Sequence, residues 1–439
     1  MSRRRGNDIQ VSPPAIAQTR AHSIVLLLPS LMQSALQNPE SNPDLAVVAS
    51  PASRLAQPLR SLTPSTEDMR QLVADHSHDL ANLDFLRTVA VSLVFVDHLA
   101  ASSGIRGLGD IGHLGVLIFF VHTSLVLMLS MGRLGLSGFR LYSAFLIRRV
   151  FRIYPLSILA VLTVAAFRIL VASWAGGFNW IGWPAFFSNI FLTQNLTHSE
   201  SILAVLWSLP FEMQMYLVLP VLFLLLCRFP SIKFAALIWL LGIAVACGEW
   251  ALRHGGIEMD FLLTRYIPCF LAGVFAWQIM ASKSRHLPGF LWILFLLLLL
   301  VAFRLVDALR VYGPAVFGAL NGAVRTDHGI WWPPFLDLVR DWVFCAATGV
   351  ALPFFREIRI GWLNGLSRNV ALYSYGIYVA HVPAMWLCFD VLHTGSLVVS
   401  TLSSIALTAA LAIFLYHLLE HPAIEFGNRI STRLVAIPR

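Results

Sequence analysis

The chain has 439 residues, of which 57% are hydrophobic and only 12% are charged, and its formal net charge is +8. Soluble globular domains contain about 25% charged residues, so this composition excludes an ordinary soluble domain and predicts a protein that crosses the membrane several times. In such a protein the basic residues of the loops fix its orientation, so the positive charge does not indicate a nucleic-acid partner. The five cysteines lack metal-ligand spacing, so neither a disulfide framework nor a metal site is expected.

The first 80 residues differ in kind from the rest of the chain. They are rich in Ser, Pro, Gln, Asn and Arg, and their one apolar run, 24–32, is shorter than the roughly 20 residues that a bilayer requires. We predict a disordered cytoplasmic extension over residues 1–80. A signal peptide is the alternative, although no small-residue cleavage site follows the apolar run closely.

Apolar stretches follow one another from about residue 85 onwards. They predict an all-α fold, a polytopic transmembrane helix bundle of about ten membrane-spanning helices. The bundle occupies residues 81–425, and a short cytoplasmic tail is expected at 426–439. The predicted helices lie near 85–103, 112–131, 150–172, 201–226, 232–252, 262–281, 287–305, 336–354, 369–389 and 397–418.

The basic residues of the loops alternate along these helices as the positive-inside rule requires, with both chain termini in the cytoplasm. Four arginines break the pattern because they fall on the predicted outer side: Arg253, Arg304, Arg310 and Arg325.

The first predicted helix carries two ionisable residues, Arg87 and His98. They are eleven positions apart, which places them on nearly the same helix face, with His98 roughly 16 Å further along the axis. Ionisable residues inside an apolar span are costly and mark a functional path by default. A histidine there can transfer protons near neutral pH.

Three arginines stand where the third predicted span begins: Arg148, Arg149 and Arg152. Arg149 and Arg152 share a helix face because they are three residues apart. Two guanidinium groups on one face suit a phosphate or pyrophosphate, to which their planar forks donate bidentately. A positive-inside anchor is the simpler alternative and would account for Arg148 and Arg149 without a ligand.

The fourth span contains a single acid, Glu212, which we place near its outer end. It either pairs with a buried arginine or orients and polarises His98, and the sequence favours neither. Candidate substrate-binding residues are Trp207 and Ser208 before it, and Tyr375 and His381 in a later helix. A lone intramembrane histidine such as His381 is more often a hydrogen-bonded packing residue.

These blocks resemble, in content and order, the acyltransferase 3 family of integral membrane acyltransferases. Two departures are Leu117, where many members have a polar residue, and His122-Thr123-Ser124, where many have a Ser-Gly turn. The matching pieces are Leu83-Asp84-Phe85-Leu86-Arg87 with His98, Gly115-Val116 with Phe119-Phe120, Arg149 and Arg152 with Tyr154-Pro155, Trp207-Ser208-Leu209 with Glu212, Ser374-Tyr375 with Tyr378 and His381, and Glu420-His421-Pro422.

The resemblance implies an O-acyltransferase of the bacterial cytoplasmic membrane. It would move an acyl group, acetyl by default, from cytoplasmic acyl-CoA to a hydroxyl of a carbohydrate or other extracytoplasmic acceptor. Acyl-CoA would be a co-substrate, and no permanently bound cofactor is expected. A secondary transporter that uses the same buried His, Arg and Glu as a proton relay is the alternative. The implied catalytic residues are His98, Glu212 and Arg87, and the implied donor-binding residues are Arg148, Arg149 and Arg152.

Overall fold

The computed structural model describes residues 80–105, 108, 110–169, 180–253, 262–282, 285–321, 334–392 and 395–436. The predicted extension at 1–80 therefore lies, except for Leu80, outside the described residues. The expected all-α fold is confirmed, because the described ranges form helices and no strand. The α-helices are α1 (Ala81–Ser102), α2 (Ile111–Leu134), α3 (Gly138–Phe167), α4 (Trp183–Ile190), α5 (Leu209–Arg228), α6 (Ile232–Leu252), α7 (Leu263–Ser282), α8 (Phe290–Asn321), α9 (Pro334–Ala351), α10 (Gly361–Trp386), α11 (Leu397–Leu415) and α12 (His421–Ala436).

All ten predicted apolar stretches are helical, but fewer are apolar enough to span a bilayer by themselves. Three helices, α7, α9 and α10, carry too many polar side chains; α9, for example, contains Asp337, Arg340 and Asp341. Asp341 is fully buried, so neighbouring helices cover the charges. Among the described residues, seven segments are both long and apolar enough: Ala81–Ser102, Ile111–Leu134, Gly138–Phe167, Ala204–Arg228, Ile232–Leu252, Phe290–Gly313 and Leu397–Val435.

The core of the bundle lies around α2. This helix packs against α1, α7 and α9, and 78% of its apolar window is buried, compared with 17% for α6. The exposed side chains of α6 are large and apolar: Leu237, Leu240, Leu241 and Val245. Contact between such a continuous apolar surface and water would be unfavourable in free energy, whereas contact with lipid chains is not. The burial pattern is therefore that of a bundle surrounded by a bilayer.

Helices α2 and α7 cross closely at Gly273. A side chain at this position would overlap the Val121 carbonyl oxygen and the Ser124 hydroxyl. Ser124 Oγ in turn donates to the Phe270 carbonyl at 2.7 Å, which links the two helices. Small residues at such crossings let helix backbones approach, which is how helices associate in lipid.

We expect Gly273→Ala to destabilise the protein by about 1–3 kcal/mol, because the added methyl group must push α2 away from α7. The thermal unfolding midpoint in detergent or nanodiscs measures the effect. Gly248→Ala in α6 is the matched control, since nothing lies within 4 Å of a Cβ there, and it should not lower the midpoint. Equal midpoints for the two variants would contradict the tight crossing.

The segment 180–208, which leads from α3 to α5, folds back into the bundle. Tyr154, near the middle of α3, donates its hydroxyl to the Phe191 carbonyl at 2.9 Å. The fully buried amide of Asn189 accepts a hydrogen bond from the backbone of Ile202 at 2.9 Å. Irregular backbone at membrane depth is stable only when protein groups satisfy it in this way. As a result α5 begins inside the bundle.

Three of the four arginines that break the predicted charge pattern are paired with carboxylates. The pairs are Arg253 with Glu249 at 3.1 Å, Arg304 with Asp307 at 3.2 Å and Arg310 with Asp110 at 3.1 Å. The fourth, Arg325, lies outside the described residues. Pairing with a carboxylate lowers the cost of holding an arginine at a membrane-embedded helix.

The predicted tail, 426–439, is helical as far as Ala436 and belongs to α12. One face of α12 packs against α3, where the Phe151 and Phe426 rings lie 5.3 Å apart. A π-helical turn, Tyr416–Glu420, joins α11 to α12 and also contacts α3. Such π turns occur frequently at functional sites.

Candidate functional site

A cavity of about 230 Å³ lies between α1, α2, α3, α5 and α10. Its wall combines four arginines with a carboxylate, a histidine and several hydroxyl groups, which is an unusual set for the interior of an apolar bundle. The polar side chains that line it are Arg87, His122, Thr123, Ser130, Arg133, Arg149, Arg152, Ser208, Glu212, Tyr216, Ser374, Tyr375 and Tyr378.

Arg149 and Arg152 face this cavity without a carboxylate partner. Helix α3 begins at Gly138, so the two arginines lie near the middle of the helix. Within the described ranges, no carboxylate lies within 4 Å of either guanidinium, and Arg149 Nε is buried without a hydrogen bond. Unpaired cations inside an apolar bundle are costly. The cavity is therefore suited to an anion.

Arg148 points elsewhere. Its Nε donates to Ser431 Oγ of α12 at 2.8 Å, and it does not line the cavity. Neighbouring residues on a helix are about 100° apart, which is why Arg148 faces α12 while Arg149 faces inwards. The structure thus separates the three predicted donor-binding arginines into two that line the cavity and one that joins two helices.

Arg87 and Glu212 share the cavity with this arginine pair. Arg87 Nε donates to the buried Ser374 Oγ at 2.5 Å, which ties α1 to α10. Glu212 accepts a hydrogen bond from the Tyr216 hydroxyl at 2.7 Å. Glu212 lies in the first turn of α5, near one end of its helix. Its carboxylate is placed to balance arginine charge.

His98 forms a pair with His381 outside the cavity wall. The two rings meet edge-on with centroids 5.0 Å apart. The Nδ1 atoms lie 2.9 Å from the Val94 carbonyl and 3.0 Å from the Ile377 carbonyl, respectively. A carbonyl only accepts, so each Nδ1 carries the proton and each Nε2 is left as a basic nitrogen. His381 Nε2 is buried and, among the described residues, has no hydrogen-bond partner.

Tyr378 links the cavity wall to the histidine pair. Its ring lines the cavity and lies 6.3 Å from the His381 ring. Its hydroxyl donates to the Val205 carbonyl at 2.6 Å and is 2.9 Å from Ser208 Oγ, another cavity residue. This hydroxyl pair holds the Tyr378 ring between the cavity and His381.

The two aromatic side chains predicted to bind substrate differ in position. Trp207 does not line the cavity; its ring stacks on His113 at 6.1 Å. His113 Nε2 in turn lies 2.9 Å from the buried Asp341 carboxylate. Tyr375 does line the cavity, and its hydroxyl donates to the backbone of α3. Trp207 therefore belongs to a packed aromatic layer beyond the hydroxyl pair.

Several cavity residues were not assigned a role from the sequence. Tyr216 could have been found, since it follows Glu212 by four residues and so shares its helix face. Ser374 and Tyr378 belong to the matching piece that also contains Tyr375 and His381, but neither of them was assigned a role of its own. His122 was noted only as a departure from the family pattern, and it is 4% exposed in the cavity wall.

The comparison with protein families covers this whole site. Residues 80–417 match the acyltransferase 3 family model, described as an acyltransferase domain. The chain belongs to the acyltransferase 3 family. No curated protein and no solved structure matches it.

Membership of the acyltransferase 3 family defines the general activity. The protein is an integral membrane acyltransferase that takes an acyl group from a donor and passes it to an acceptor at a bilayer. The resemblance drawn from the sequence motifs is confirmed, and the matched residues include every predicted site residue from Arg87 to His381.

Proposed function

We propose that this acyltransferase 3 protein transfers an acyl group, acetyl by default, from cytoplasmic acyl-CoA to a hydroxyl of a carbohydrate or other extracytoplasmic acceptor in the bacterial cytoplasmic membrane. The observation that carries the proposal is the pair Arg149 and Arg152, without a carboxylate partner among the described residues, in a cavity whose wall includes Tyr378, a neighbour of His381.

The donor would enter at the arginines. CoA carries several phosphate groups, and guanidinium groups bind phosphate through short, charge-assisted hydrogen bonds. Arg149 and Arg152 would hold these phosphates, and Arg87 would add a third cation. Glu212 lowers the positive charge of the cavity without blocking it, because its carboxylate is already bonded to Tyr216.

The pantetheine arm would extend past Tyr378 and Ser208 and bring the thioester to His98. The acceptor hydroxyl would approach from the other end of the bundle, and His98 Nε2 would take its proton. The acceptor oxygen then bonds to the thioester carbonyl carbon, the carbon–sulfur bond breaks, and the CoA thiolate takes the proton back from the imidazolium. In the alternative route His98 Nε2 attacks the thioester carbonyl carbon and expels the CoA thiolate. The acceptor oxygen then attacks the acyl-histidine, the carbon–nitrogen bond breaks to restore the imidazole, and the acceptor proton passes to the thiolate.

The roughly 16 Å between Arg87 and His98 along α1 suits a reaction across the bilayer. The phosphates stay at one end while the thioester reaches the middle. Donor and acceptor can then meet without either crossing the membrane completely.

A labelled-transfer experiment tests this function. Purified protein in nanodiscs is incubated with radiolabelled acetyl-CoA and a crude envelope glycan extract. We expect label in the glycan with wild-type protein and none without the extract. Folded protein that transfers no label from acetyl-CoA or from a panel of longer acyl-CoAs would contradict an acyl-CoA donor.

The transporter alternative is supported by the adjacent histidines His98 and His381, since intramembrane histidines also form proton relays. Membership of an acyltransferase family favours transfer. The two differ in the His98→Ala variant: an acyltransferase loses acylated product while export is unchanged, whereas a transporter loses export.

A further inference from the structure

Glu420 is a buried carboxylate that the proposed reaction does not use. It is 1% exposed, and neither carboxylate oxygen has a hydrogen-bond partner among the described residues. It is the last residue of the π-helical turn Tyr416–Glu420. A buried acid normally binds donors or a paired cation, so this one needs another explanation.

The surroundings of the turn place Glu420 close to the arginines. His417 Nε2 lies 3.3 Å from the Tyr373 hydroxyl, and a side chain at Gly376 would touch the Ala412 backbone. The turn thus packs on α10 beside Ser374, the partner of Arg87, and it also contacts α3.

Glu420 lies near Arg152 without contacting it. Phe151, the neighbour of Arg152 on α3, packs against Phe426, less than two helical turns after Glu420. Within the described residues, however, no guanidinium lies within 4 Å of its carboxylate. Glu420 also does not line the cavity. It can therefore change how strongly the cavity attracts an anion without touching that anion.

We propose that Glu420 is a positioning residue that weakens the hold of the arginine cavity on anions and so permits release of the spent donor. The inference rests on the proposed function. Its negative charge opposes a phosphate in the cavity and attracts the free guanidinium of Arg152. After acyl transfer, free CoA still carries every phosphate by which the acyl-CoA was bound, so a countercharge is needed for it to leave.

Binding measurements on wild-type, Glu420→Gln and Glu420→Asp protein in nanodiscs test this role. The probes are CoA and inorganic pyrophosphate. We expect Glu420→Gln to bind both about tenfold more tightly, since a unit charge several ångströms away at an effective dielectric constant near 20 has an effect of that order. Glu420→Asp keeps the charge and should bind like the wild type. In steady state Glu420→Gln should lower both KM for acyl-CoA and kcat.

A purely structural role gives the opposite pattern. It predicts that the neutral, similarly shaped glutamine leaves affinity unchanged or weakens it, and either result in folded protein overturns the proposal. Glu420→Ala is the second neutral variant: the same tightening supports a charge effect, and weaker binding contradicts it. When Arg152 is also replaced by glutamine, Glu420→Gln should increase the affinity for the probes by a smaller factor, because part of the effect of Glu420 acts through Arg152.

The two probes separate this inference from the proposed function. If pyrophosphate binds, and binds more tightly to Glu420→Gln than to the wild type, while CoA does not bind, then the countercharge role is supported and the CoA donor is wrong. If CoA binds equally well to wild type and Glu420→Gln, the donor stands and the role of Glu420 is wrong. If wild-type protein binds neither probe, both are wrong.

Discussion

Replacement of His98 by alanine is expected to abolish acyl transfer while the protein stays folded in the membrane. The Val94 carbonyl holds the proton on Nδ1, so Nε2 is the basic nitrogen that the reaction requires. General-base catalysis contributes about 10²–10⁴-fold to rate, and loss of an acyl-carrying nucleophile costs at least as much. The rate of label transfer to the glycan extract measures the effect.

His122→Ala is the matched control for this variant. His122 is a second histidine inside the bundle, but it lines the donor cavity on α2, so its loss should alter KM for acyl-CoA more than kcat. Residual transfer above about a tenth of wild type in His98→Ala would remove His98 as the essential group. Incubation with labelled acyl-CoA alone distinguishes the two routes: label retained on wild-type protein but not on His98→Ala indicates an acyl-histidine.

The second large effect is expected for Arg152→Ala. A hydrogen bond to a charged group contributes about 1.5–3 kcal/mol, so KM for acyl-CoA should rise about tenfold to a hundredfold. KM for the acceptor should change little, because the acceptor does not reach the arginines. Steady-state kinetics with each substrate varied in turn provide both constants.

Arg148→Ala tests whether this loss reflects position or only charge. It removes the same charge four residues away on α3, but Arg148 donates to Ser431 and lies outside the cavity. Its KM for acyl-CoA should stay close to that of the wild type. Equal increases in the two variants would indicate a general electrostatic effect, and an unchanged KM in Arg152→Ala would contradict phosphate binding.

Much of the fold follows from local composition. Each of the ten predicted apolar stretches is a helix, because runs of apolar residues in a bilayer must satisfy their own backbone hydrogen bonds. The prediction that Arg149 and Arg152 share a helix face is also confirmed, because both line one cavity. A spacing of three residues places two side chains on the same face whatever the neighbouring helices are.

Other positions differ from the prediction or depend on distant segments. Helix α3 starts at Gly138, well before the predicted 150, because a helix can extend beyond the apolar stretch that marks it in the sequence. Arg310 pairs with Asp110, 200 residues away in the chain. The partner of Arg304, Asp307, lies three residues along the same helix, so spacing alone could have predicted that pair.

By itself the sequence determined a membrane bundle and the helices that carry Arg87, His98, Arg149 and Arg152, because spacing and hydropathy act within a single helix. Its motifs also resembled the acyltransferase 3 family, which the family match over residues 80–417 confirmed. Only the tertiary structure decided that Glu212 joins the arginines, that His98 meets His381 and that Arg148 is directed away from the cavity. These outcomes depend on how segment 180–208 folds back and on which helices touch, and such contacts join residues far apart in the chain.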